Sequence, residues 1–219
     1  MDTELDDRIA FVTGATSGIG RAAALRLAEA GAHVALASRR EDRLDAVADE
    51  IRTDHGREAL VVPTDVTDPE QVRSAVSETA ETFGGIDVVV ANAGLGVDKD
   101  VESLSIEEYE LMTDVNVNGM FYTAKAALPH LKESSGNLVF LGSFSGQHPR
   151  PYNPVYAATK WWTRGFALSL EGAVGDDGVA VSVVNPTEVR TEFGSETDDP
   201  LKERFDPGEV TEPEDVAEA

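Results

Sequence analysis

Short apolar runs alternate along the chain with longer amphipathic stretches. The run at residues 86–91 is almost wholly apolar, which is typical of a strand buried on both faces of a sheet. We interpret the short runs as strands and the longer stretches as helices. The pattern predicts strands at residues 8–13, 33–37, 59–63, 86–91, 137–141 and 179–184. It predicts helices at residues 18–30, 41–54, 68–83, 106–131 and 155–173, the fourth interrupted near Asn116.

The order of these elements predicts the fold class. Strands that alternate with helices in this way indicate a parallel sheet covered on both faces. We therefore expect an α/β fold with a doubly wound parallel sheet, the Rossmann architecture. A chain of 219 residues suffices for one such domain, spanning residues 1–219 without an internal boundary. The polar segment 188–212 is expected to be a mobile lid over the substrate.

The charge of the chain narrows its possible partners. The net charge is −23, so binding to nucleic acid or to an anionic membrane surface is not expected. The acidic residues are spread over the whole chain, and only 5 lysines accompany 13 arginines. Such a surface suits a cytoplasm with concentrated salt, where screening removes self-repulsion, and we hypothesise a halophilic source.

Several other function classes are not expected either. No stretch of about 18 apolar residues indicates a transmembrane helix. The first residues are acidic and do not resemble a secretory signal, so a cytoplasmic location is expected. The chain has no cysteine, which excludes disulfides and thiol catalysis, and its 4 histidines lack the spacing of metal ligands. No metal site is predicted.

A glycine-rich turn follows the first strand. Gly14, Gly18 and Gly20 stand in the run Thr-Gly-Ala-Thr-Ser-Gly-Ile-Gly at residues 13–20. Glycines at this place let the backbone turn sharply and approach a pyrophosphate at the start of a helix. For the glycines alone, a tight strand-to-helix turn that binds nothing is a plausible but less favoured alternative.

The end of the second strand carries Ser38, Arg39 and Arg40. An acidic residue at this place would bind the 2′-hydroxyl of an adenosine ribose, as in NAD. A serine and a guanidinium suit a 2′-phosphate instead, so the sequence favours NADP over NAD. The alternative is that the two arginines only begin a solvated helix.

Three residues further along suggest acid–base chemistry. Tyr156 precedes Lys160 by four positions, which places both on one face of a helix, and Ser143 lies 13 positions before the tyrosine. A cation beside a phenol favours the phenolate and lowers its pKa, and a serine hydroxyl can hold a carbonyl oxygen. The isolated Tyr156–Lys160 pattern is more typical of a surface helix with a half-buried tyrosine, and only the rest of the chain changes that balance.

The combination of motifs resembles the short-chain dehydrogenase/reductase family in its common short form. The matching residues, in chain order, are Thr13, Gly14, Gly18, Ile19, Gly20, Asp65, Asn92, Ala93, Gly94, Asn116, Ser143, Tyr156, Lys160, Asn185, Pro186 and Thr191. Each motif alone is weak, but their order and spacing over nearly the whole chain are specific. The resemblance implies hydride transfer between a nicotinamide and a small alcohol or carbonyl substrate, and a homodimer or homotetramer.

The resemblance also implies residue roles. Tyr156 is the general acid or base, Lys160 lowers its pKa and binds the nicotinamide ribose, and Ser143 orients the carbonyl. Asn116 holds a helix kink and a water for proton relay. The implied cofactor-binding residues, which include Tyr156 and Lys160, lie mostly in loops after the strands: Gly14, Thr16, Ser17, Gly18, Ile19, Gly20, Ser38, Arg39, Arg40, Asp65, Val66, Asn92, Ala93, Gly94, Pro186, Thr187, Val189 and Thr191.

The chain departs from the family pattern in three places. Gly142 stands where the family often has a second serine, as in the branch acting on small 3-hydroxy acids or on diverse alcohols. Thr187 replaces a glycine near the nicotinamide, which puts the local backbone in question. The family's seventh strand is absent from the end of the sequence.

The resulting expectation is an NADP-dependent oxidoreductase acting on a secondary alcohol or a 3-hydroxy acid and the corresponding carbonyl compound. The alternatives are a non-catalytic dinucleotide sensor and an epimerase or dehydratase relative. The sensor is disfavoured because Ser143, Tyr156 and Lys160 are all present. The substrate pocket is expected to involve Leu95, Phe144, Gln147, Pro149, Tyr152, Val155, Glu188 and Phe193.

Overall fold

One parallel sheet organises the computed structural model, which describes residues 5–194 and 200–218. Its strands are β1 (Ile9–Thr13), β2 (His33–Ser38), β3 (Ala59–Pro63), β4 (Val88–Ala91), β5 (Asn137–Leu141) and β6 (Ala180–Val184). They run parallel in the order β3-β2-β1-β4-β5-β6. This is the doubly wound order, which reverses direction between β1 and β4. The predicted fold is confirmed.

Eight helices connect or follow these strands in the described ranges. They are α1 (Gly18–Glu29), α2 (Glu41–Glu50), α3 (Pro69–Phe83), α4 (Ile106–Thr113), α5 (Gly119–Ser134), α6 (Pro154–Val174), α7 (Leu201–Arg204) and α8 (Pro213–Ala217). The short helices α7 and α8 were not predicted. None of the eight has the length and apolar character required to cross a bilayer.

The interruption predicted near Asn116 is a π-helical turn, Asp114–Asn118, between α4 and α5. A second such turn, Ile51–His55, completes the predicted helix 41–54. Helix α3 begins at an Asp68 cap, whose carboxylate accepts hydrogen bonds from the next turn of backbone. Helix α6 has Pro154 in its first turn, where a missing N–H costs nothing.

The hydrophobic core consists of two layers, one on each face of the sheet. Successive residues of a strand point to opposite faces, so Phe11 packs in one layer and Val12 in the other. The first layer includes Phe140 and lies under α3, α5 and α6. The second lies under α1 and α2, and Val216 of α8 packs against it. Both faces of the sheet are therefore covered, which leaves its carboxyl edge for a binding site.

Candidate active site

A cleft of about 830 Å³ opens at the carboxyl edge of the sheet. Loops that follow all six strands line it, with the glycine-rich turn and Tyr156 among them. Clefts at the reversal point of a doubly wound sheet are the usual ligand sites of this architecture. The predicted site residues line this cleft with two exceptions, Gly20 and Asn116, which lie behind its wall. Of the predicted pocket residues, Gln147, Pro149 and Val155 are not part of the lining.

The glycine-rich turn needs glycine for its own geometry. Gly14 and Gly18 have φ angles of 68° and 53°, in the left-handed region. A Cβ atom on Gly20 would lie 2.3 Å from Asn92 Nδ2. That amide donates hydrogen bonds to the carbonyl oxygens of Thr13, at 2.8 Å, and of Gly14, at 3.3 Å. Asn92 therefore fastens the turn to the end of β4, a role that its sequence position alone did not indicate.

The end of β2 forms a polar cluster with the glycine-rich turn. Arg40 Nη2 donates to Thr16 Oγ1 at 2.8 Å and to Ser17 Oγ at 3.5 Å. Thr16 Oγ1 lies 3.4 Å from Ser38 Oγ. Arg39 is exposed and lines the cleft beside them. The arginines thus do more than begin the solvated helix α2, because Arg40 reaches back over the turn.

The loop after β3 contributes one polar and one apolar wall. Asp65 Oδ1 accepts hydrogen bonds from Thr67 N, at 3.0 Å, and Thr67 Oγ1, at 2.8 Å, which fixes the loop. Val66 is buried and packs so closely on α5 that a Cβ atom on Gly119 would lie 2.9 Å from it. Both residues line the cleft, where they are expected from the sequence to contact a cofactor.

Ser143 is held by its neighbours on two sides. Its Oγ accepts a hydrogen bond from Ser145 N at 3.1 Å and starts a short 3₁₀ turn, Phe144–Gly146. A Cβ atom on Gly146 would lie 2.6 Å from the carbonyl oxygen of Lys160, so this turn rests directly on α6. That contact brings Ser143 close to Tyr156, and the Ser143 hydroxyl lowers the pKa of the phenol.

Gly142 is explained by the same packing. A Cβ atom at this position would lie 2.2 Å from Asn185 Oδ1, which also accepts a hydrogen bond from Ser143 N at 3.3 Å. A serine at position 142 would therefore displace the asparagine that holds Ser143. The departure from the family pattern is accommodated by this chain.

Lys160 is a buried cation with 4% of its surface exposed. Its Nζ donates to the carbonyl oxygen of Leu141 at 2.9 Å and lies 5.9 Å from the ring centroid of Tyr156. Removal from water disfavours the charged form, so burial lowers the pKa of Lys160 to about 8.

The electrostatics of Tyr156 differ from the prediction. Burial raises the pKa of Tyr156 to about 12, while the hydrogen bond with Ser143 and the charge of Arg150 act in the opposite direction. Among the residues of the protein itself, Lys160 does not lower the pKa of Tyr156, so the expected lowering is wrong. Lys160 directs a hydrogen bond to Leu141, and the cation that lowers the pKa of the phenol is Arg150.

Asn116 joins the helix interruption to the cleft wall. Its Nδ2 donates to Leu95 O at 2.8 Å and to Thr159 Oγ1 at 3.1 Å, and its Oδ1 accepts from Leu95 N at 2.9 Å. Thr159 Oγ1 in turn donates to Tyr156 O at 2.8 Å. Both amide hydrogens of Asn116 are therefore engaged, and the proton-relay water expected from the resemblance would have to bind its oxygen atoms.

Thr187 raises no backbone difficulty. The non-glycine residues with positive φ in the described ranges are Asp7 and Ser135, so Thr187 has an ordinary backbone conformation. Its side chain is exposed at the cleft, next to Pro186. The glycine expected from the family pattern is not needed for the shape of this loop.

The segment after β6 folds over the cleft. Thr191 lies against Gly18, where a Cβ atom would come within 3.0 Å of Thr191 Cγ2. The Phe193 ring packs on the Tyr156 ring with centroids 5.6 Å apart. Of the predicted lid at residues 188–212, residues 195–199 lie outside the described residues.

A charge network holds this segment in place. Glu192 pairs with Arg43 of α2 at 2.8 Å and with Lys202 of α7 at 3.1 Å. These two cations hold the pKa of Glu192 below its usual value, Lys202 having the larger effect. The network joins the segment after β6 to α2, the helix that follows Ser38, Arg39 and Arg40.

Sequence reasoning missed Arg150 and Thr159, and it named Asn185 as a matching residue without assigning it a role. Thr159 and Asn185 act through hydrogen bonds to Asn116 and Ser143, which join residues distant in the sequence. Arg150 stands between two prolines in an irregular loop, with no helical or strand periodicity to assign its direction. Its position six residues before Tyr156 was the only available signal.

Comparisons with known proteins agree with this arrangement. The sequence profile of the family described as short chain dehydrogenase matches residues 8–202. An uncharacterized oxidoreductase of Staphylococcus aureus (strain MRSA252) is 39% identical over 218 residues, which cover 99% of this chain and 90% of that protein.

Solved structures give the same result. An alcohol dehydrogenase from the archaeon Thermococcus sibiricus, complexed with 5-hydroxy-NADP, has a TM-score of 0.88 and 35% identity, covering 96% of this chain and 87% of that chain. A 3-ketoacyl-(acyl-carrier-protein) reductase from Brucella melitensis, complexed with NADH, has a TM-score of 0.88 and 29% identity, covering 98% and 89%.

Matches of this extent define the class of protein, an oxidoreductase enzyme built on a doubly wound sheet. The chain belongs to the short-chain dehydrogenase/reductase family. The two structural neighbours contain different nicotinamide cofactors, so the cofactor of this chain has to be argued from its own residues.

The buried charge of Lys160 leads to a stability prediction. In the unfolded chain the lysine pKa is about 10.4, against about 8 in the fold. Lys160 therefore binds its proton more tightly in the unfolded state than in the fold. The resulting loss of folding free energy is complete below about pH 8, decreases as the pH rises, and vanishes above about pH 10.4. We expect Lys160→Met to stabilise the protein at pH 7 by on the order of 1–3 kcal/mol, less any loss of the Leu141 hydrogen bond.

Urea unfolding at pH 7 and at pH 9.5 measures this effect. The advantage of Lys160→Met should shrink at the higher pH. Lys132→Met is the matched control, because Lys132 is 44% exposed in an ion pair with Asp177 and should show little change with pH. A Lys160→Met protein whose stability relative to the wild type does not vary between these pH values would contradict the assigned cost of burial.

Proposed function

We propose that this enzyme interconverts a secondary alcohol, including a 3-hydroxy acid, and its carbonyl compound with NADP as cofactor. The observation that carries the proposal is the convergence of Ser143, Tyr156 and Lys160 on one wall of the cleft that begins at the glycine-rich turn. The residues of this chain thereby place a proton donor beside a nucleotide-sized site.

The cleft residues fit a dinucleotide phosphate. Gly14 and Gly18 adopt left-handed backbone conformations, and neither has a side chain. The start of α1, where a pyrophosphate is favoured, is therefore not obstructed by these two residues. At the end of β2, Arg40, Ser38 and Thr16 form a polar cluster suited to a 2′-phosphate. Asp65, Val66, Ala93 and Gly94 would flank the adenine and ribose part, and Pro186, Thr187 and Val189 the nicotinamide part.

The chemistry divides between the cofactor and the side chains. When bound, the nicotinamide supplies or accepts the hydride. Tyr156 gives a proton to the carbonyl oxygen during reduction and removes it during oxidation. Ser143 orients that oxygen, and Lys160 supplies a hydrogen-bond donor to the nicotinamide ribose. Asn116 positions the wall at Leu95 and, through Thr159, the first turns of α6.

The segment 188–212 acts as a lid in this proposal. Its contacts reach both ends of the cleft, since Thr191 lies on Gly18 and Phe193 lies on Tyr156. A homodimer or homotetramer also stays a prediction, which the exposed apolar side chains of Phe121, Trp161 and Leu168 on α5 and α6 support. The cytoplasmic location likewise stays a prediction.

A screen of NADPH oxidation over ketones, aldehydes and oxo acids in concentrated salt tests the reaction. On any substrate found, we expect Tyr156→Phe to lower kcat by at least about 10²-fold, the usual contribution of a positioned acid or base. Tyr109→Phe, on an exposed face of α4, is the matched control and should keep full activity. Full activity of Tyr156→Phe would show that another group transfers the proton. NADPH binding without turnover of any compound would favour a sensor.

The choice of NADP is tested by charge reversal at the end of β2. We expect Arg39→Asp to weaken NADPH binding by at least about tenfold, because a carboxylate repels a 2′-phosphate, and to change NADH binding little. Titration of cofactor fluorescence measures both affinities. Arg73→Asp, on the exposed face of α3, makes the same change of net charge away from the cleft. Equal weakening of NADPH and NADH by Arg39→Asp would remove the phosphate role.

The acidic composition supports a requirement for salt and a halophilic source. With a net charge of −23, mutual repulsion among exposed carboxylates opposes folding until ions screen it. We expect the melting temperature to rise substantially between 0.1 M and 2 M KCl in a thermal unfolding series. Glycerol in place of salt is the uncharged control. Equal melting temperatures at the two KCl concentrations would contradict the salt requirement.

A further inference from the structure

Arg150 occupies an unusual position on the wall of the cleft. Its side chain is only 21% exposed, and its guanidinium lies over the rings of Phe144, at 5.5 Å, and Tyr152, at 5.9 Å. The same side chain lines the cleft together with Ser143 and Tyr156. A permanently charged group is therefore held largely out of water beside the proposed reaction centre.

The hydrogen bonding of this guanidinium is incomplete. Nη1 donates to the Tyr152 hydroxyl. Nη2 is 4.0 Å from Glu188 Oε1, which is a charge contact beyond hydrogen-bond distance, and Glu188 is 51% exposed. Nε is buried and has no hydrogen-bond partner among the described residues. A guanidinium has five N–H groups, and a sheltered cation with so few partners favours an additional anion.

The turn that carries Arg150 is unsatisfied at a second atom. Asn153 Oδ1 is also buried without a hydrogen-bond partner in the described ranges, and Asn153 N donates to Arg150 O at 3.3 Å. Asn153 lines the cleft as well. Both atoms are buried, so this turn of the cleft wall leaves polar groups of the protein unsatisfied, a feature that calls for a functional explanation.

We propose that Arg150 is a specificity-determining residue that binds a carboxylate of the substrate, so that the enzyme acts on oxo acids and hydroxy acids. The inference rests on the proposed alcohol–carbonyl reaction and names its substrate class. Nη2 makes a charge-assisted hydrogen bond with the substrate carboxylate, in place of the loose contact with Glu188. The aromatic faces of Phe144 and Tyr152 keep the guanidinium in position for this contact.

The charge of Arg150 also reaches the reaction centre. It lowers the pKa of Tyr156, against the larger effect of burial. Arg150, Tyr156 and Ser143 line the same cleft, so a small molecule whose carboxylate is bound at Arg150 would have its carbonyl group within the same cleft as Tyr156 and Ser143. Glu188 has the opposite role, because its carboxylate competes with the substrate for Nη2.

The test compares acids with their neutral esters. We would measure kcat/KM with NADPH for 2-, 3- and 4-oxopentanoate and for their methyl esters, which move the carbonyl along one carbon chain. Arg150→Met keeps an apolar stem against Phe144 and should lower kcat/KM for the preferred acid at least about tenfold more than for its ester, because the ester shares any effect of the lost charge on Tyr156 but not the lost carboxylate contact. Arg150→Lys should restore part of the loss, and Glu188→Gln should favour the acid further. Arg73→Met is the matched control on α3 and should change neither class.

The outcomes separate this inference from the proposed function. Turnover of esters and acids with equal loss in Arg150→Met would overturn the carboxylate role and leave the reaction intact. If neither the acids nor the esters are reduced, the proposed reaction fails for these compounds. The role of Arg150 is then tested by ligand binding to the protein, measured as a change in melting temperature. Pentanoate, but not methyl pentanoate, should then raise the melting temperature of the NADPH-bound wild type and not that of Arg150→Met. No such difference would overturn the inference.

Discussion

The buried ammonium of Lys160 is the constraint on which the arrangement of the site depends. A lysine with 4% of its surface exposed loses the solvation of its charge. Among the described residues, Lys160 Nζ donates one hydrogen bond in its place, to the carbonyl oxygen of Leu141 at the end of β5, at 2.9 Å. Close packing surrounds that contact. The 3₁₀ turn with Ser143 rests on the main chain of Lys160 at Gly146, and Gly94 after β4 lies beside Nζ. The loops after β4 and β5 are thus fixed relative to α6 by small residues that approach this one side chain.

The burial of Lys160 lowers the folding stability of the protein. An apolar residue would fill the position of Lys160 at a lower cost in folding free energy, so a buried cation at the wall of the cleft marks a candidate functional site. Asn116 supports the same region by hydrogen bonds, because it joins the wall at Leu95 to Thr159 across a π-helical turn. Turns of this kind interrupt a helix at some cost and occur frequently at functional sites. The π-helical turn is therefore connected, through Asn116 and Thr159, to the first turns of the helix that carries Lys160.

The sequence predicted the fold correctly and named residues most of which line one cleft, because both depend on local signals. Alternation of apolar strands and helices required no knowledge of distant contacts, and the glycine-rich turn and the Tyr156–Lys160 spacing are each contained in a few residues. The electrostatics were predicted less well. The pKa of Tyr156 depends on whether Lys160 turns to the phenol or to Leu141, and a four-residue spacing does not decide between them. The roles of Asn92 and Arg150 likewise arise from contacts between loops that only the folded chain brings together.

The charge distribution of the cleft would reconcile the proposed anionic cofactor with a strongly anionic protein. The chain has 41 acidic and 18 basic residues, yet its cleft lining contains five of each: Arg39, Arg40, Arg150, Lys160 and Arg204 against Asp65, Asp98, Glu108, Glu188 and Glu192. Long-range repulsion of an approaching anion falls with salt over a Debye length of about 10 Å at 0.1 M. Contacts at hydrogen-bond distance are screened much less, because ions and water have little room between the partners. Concentrated salt would therefore remove the repulsion by the surface while the local attraction of Arg40 and Arg150 persists, so that a uniformly acidic surface need not weaken a site for anions.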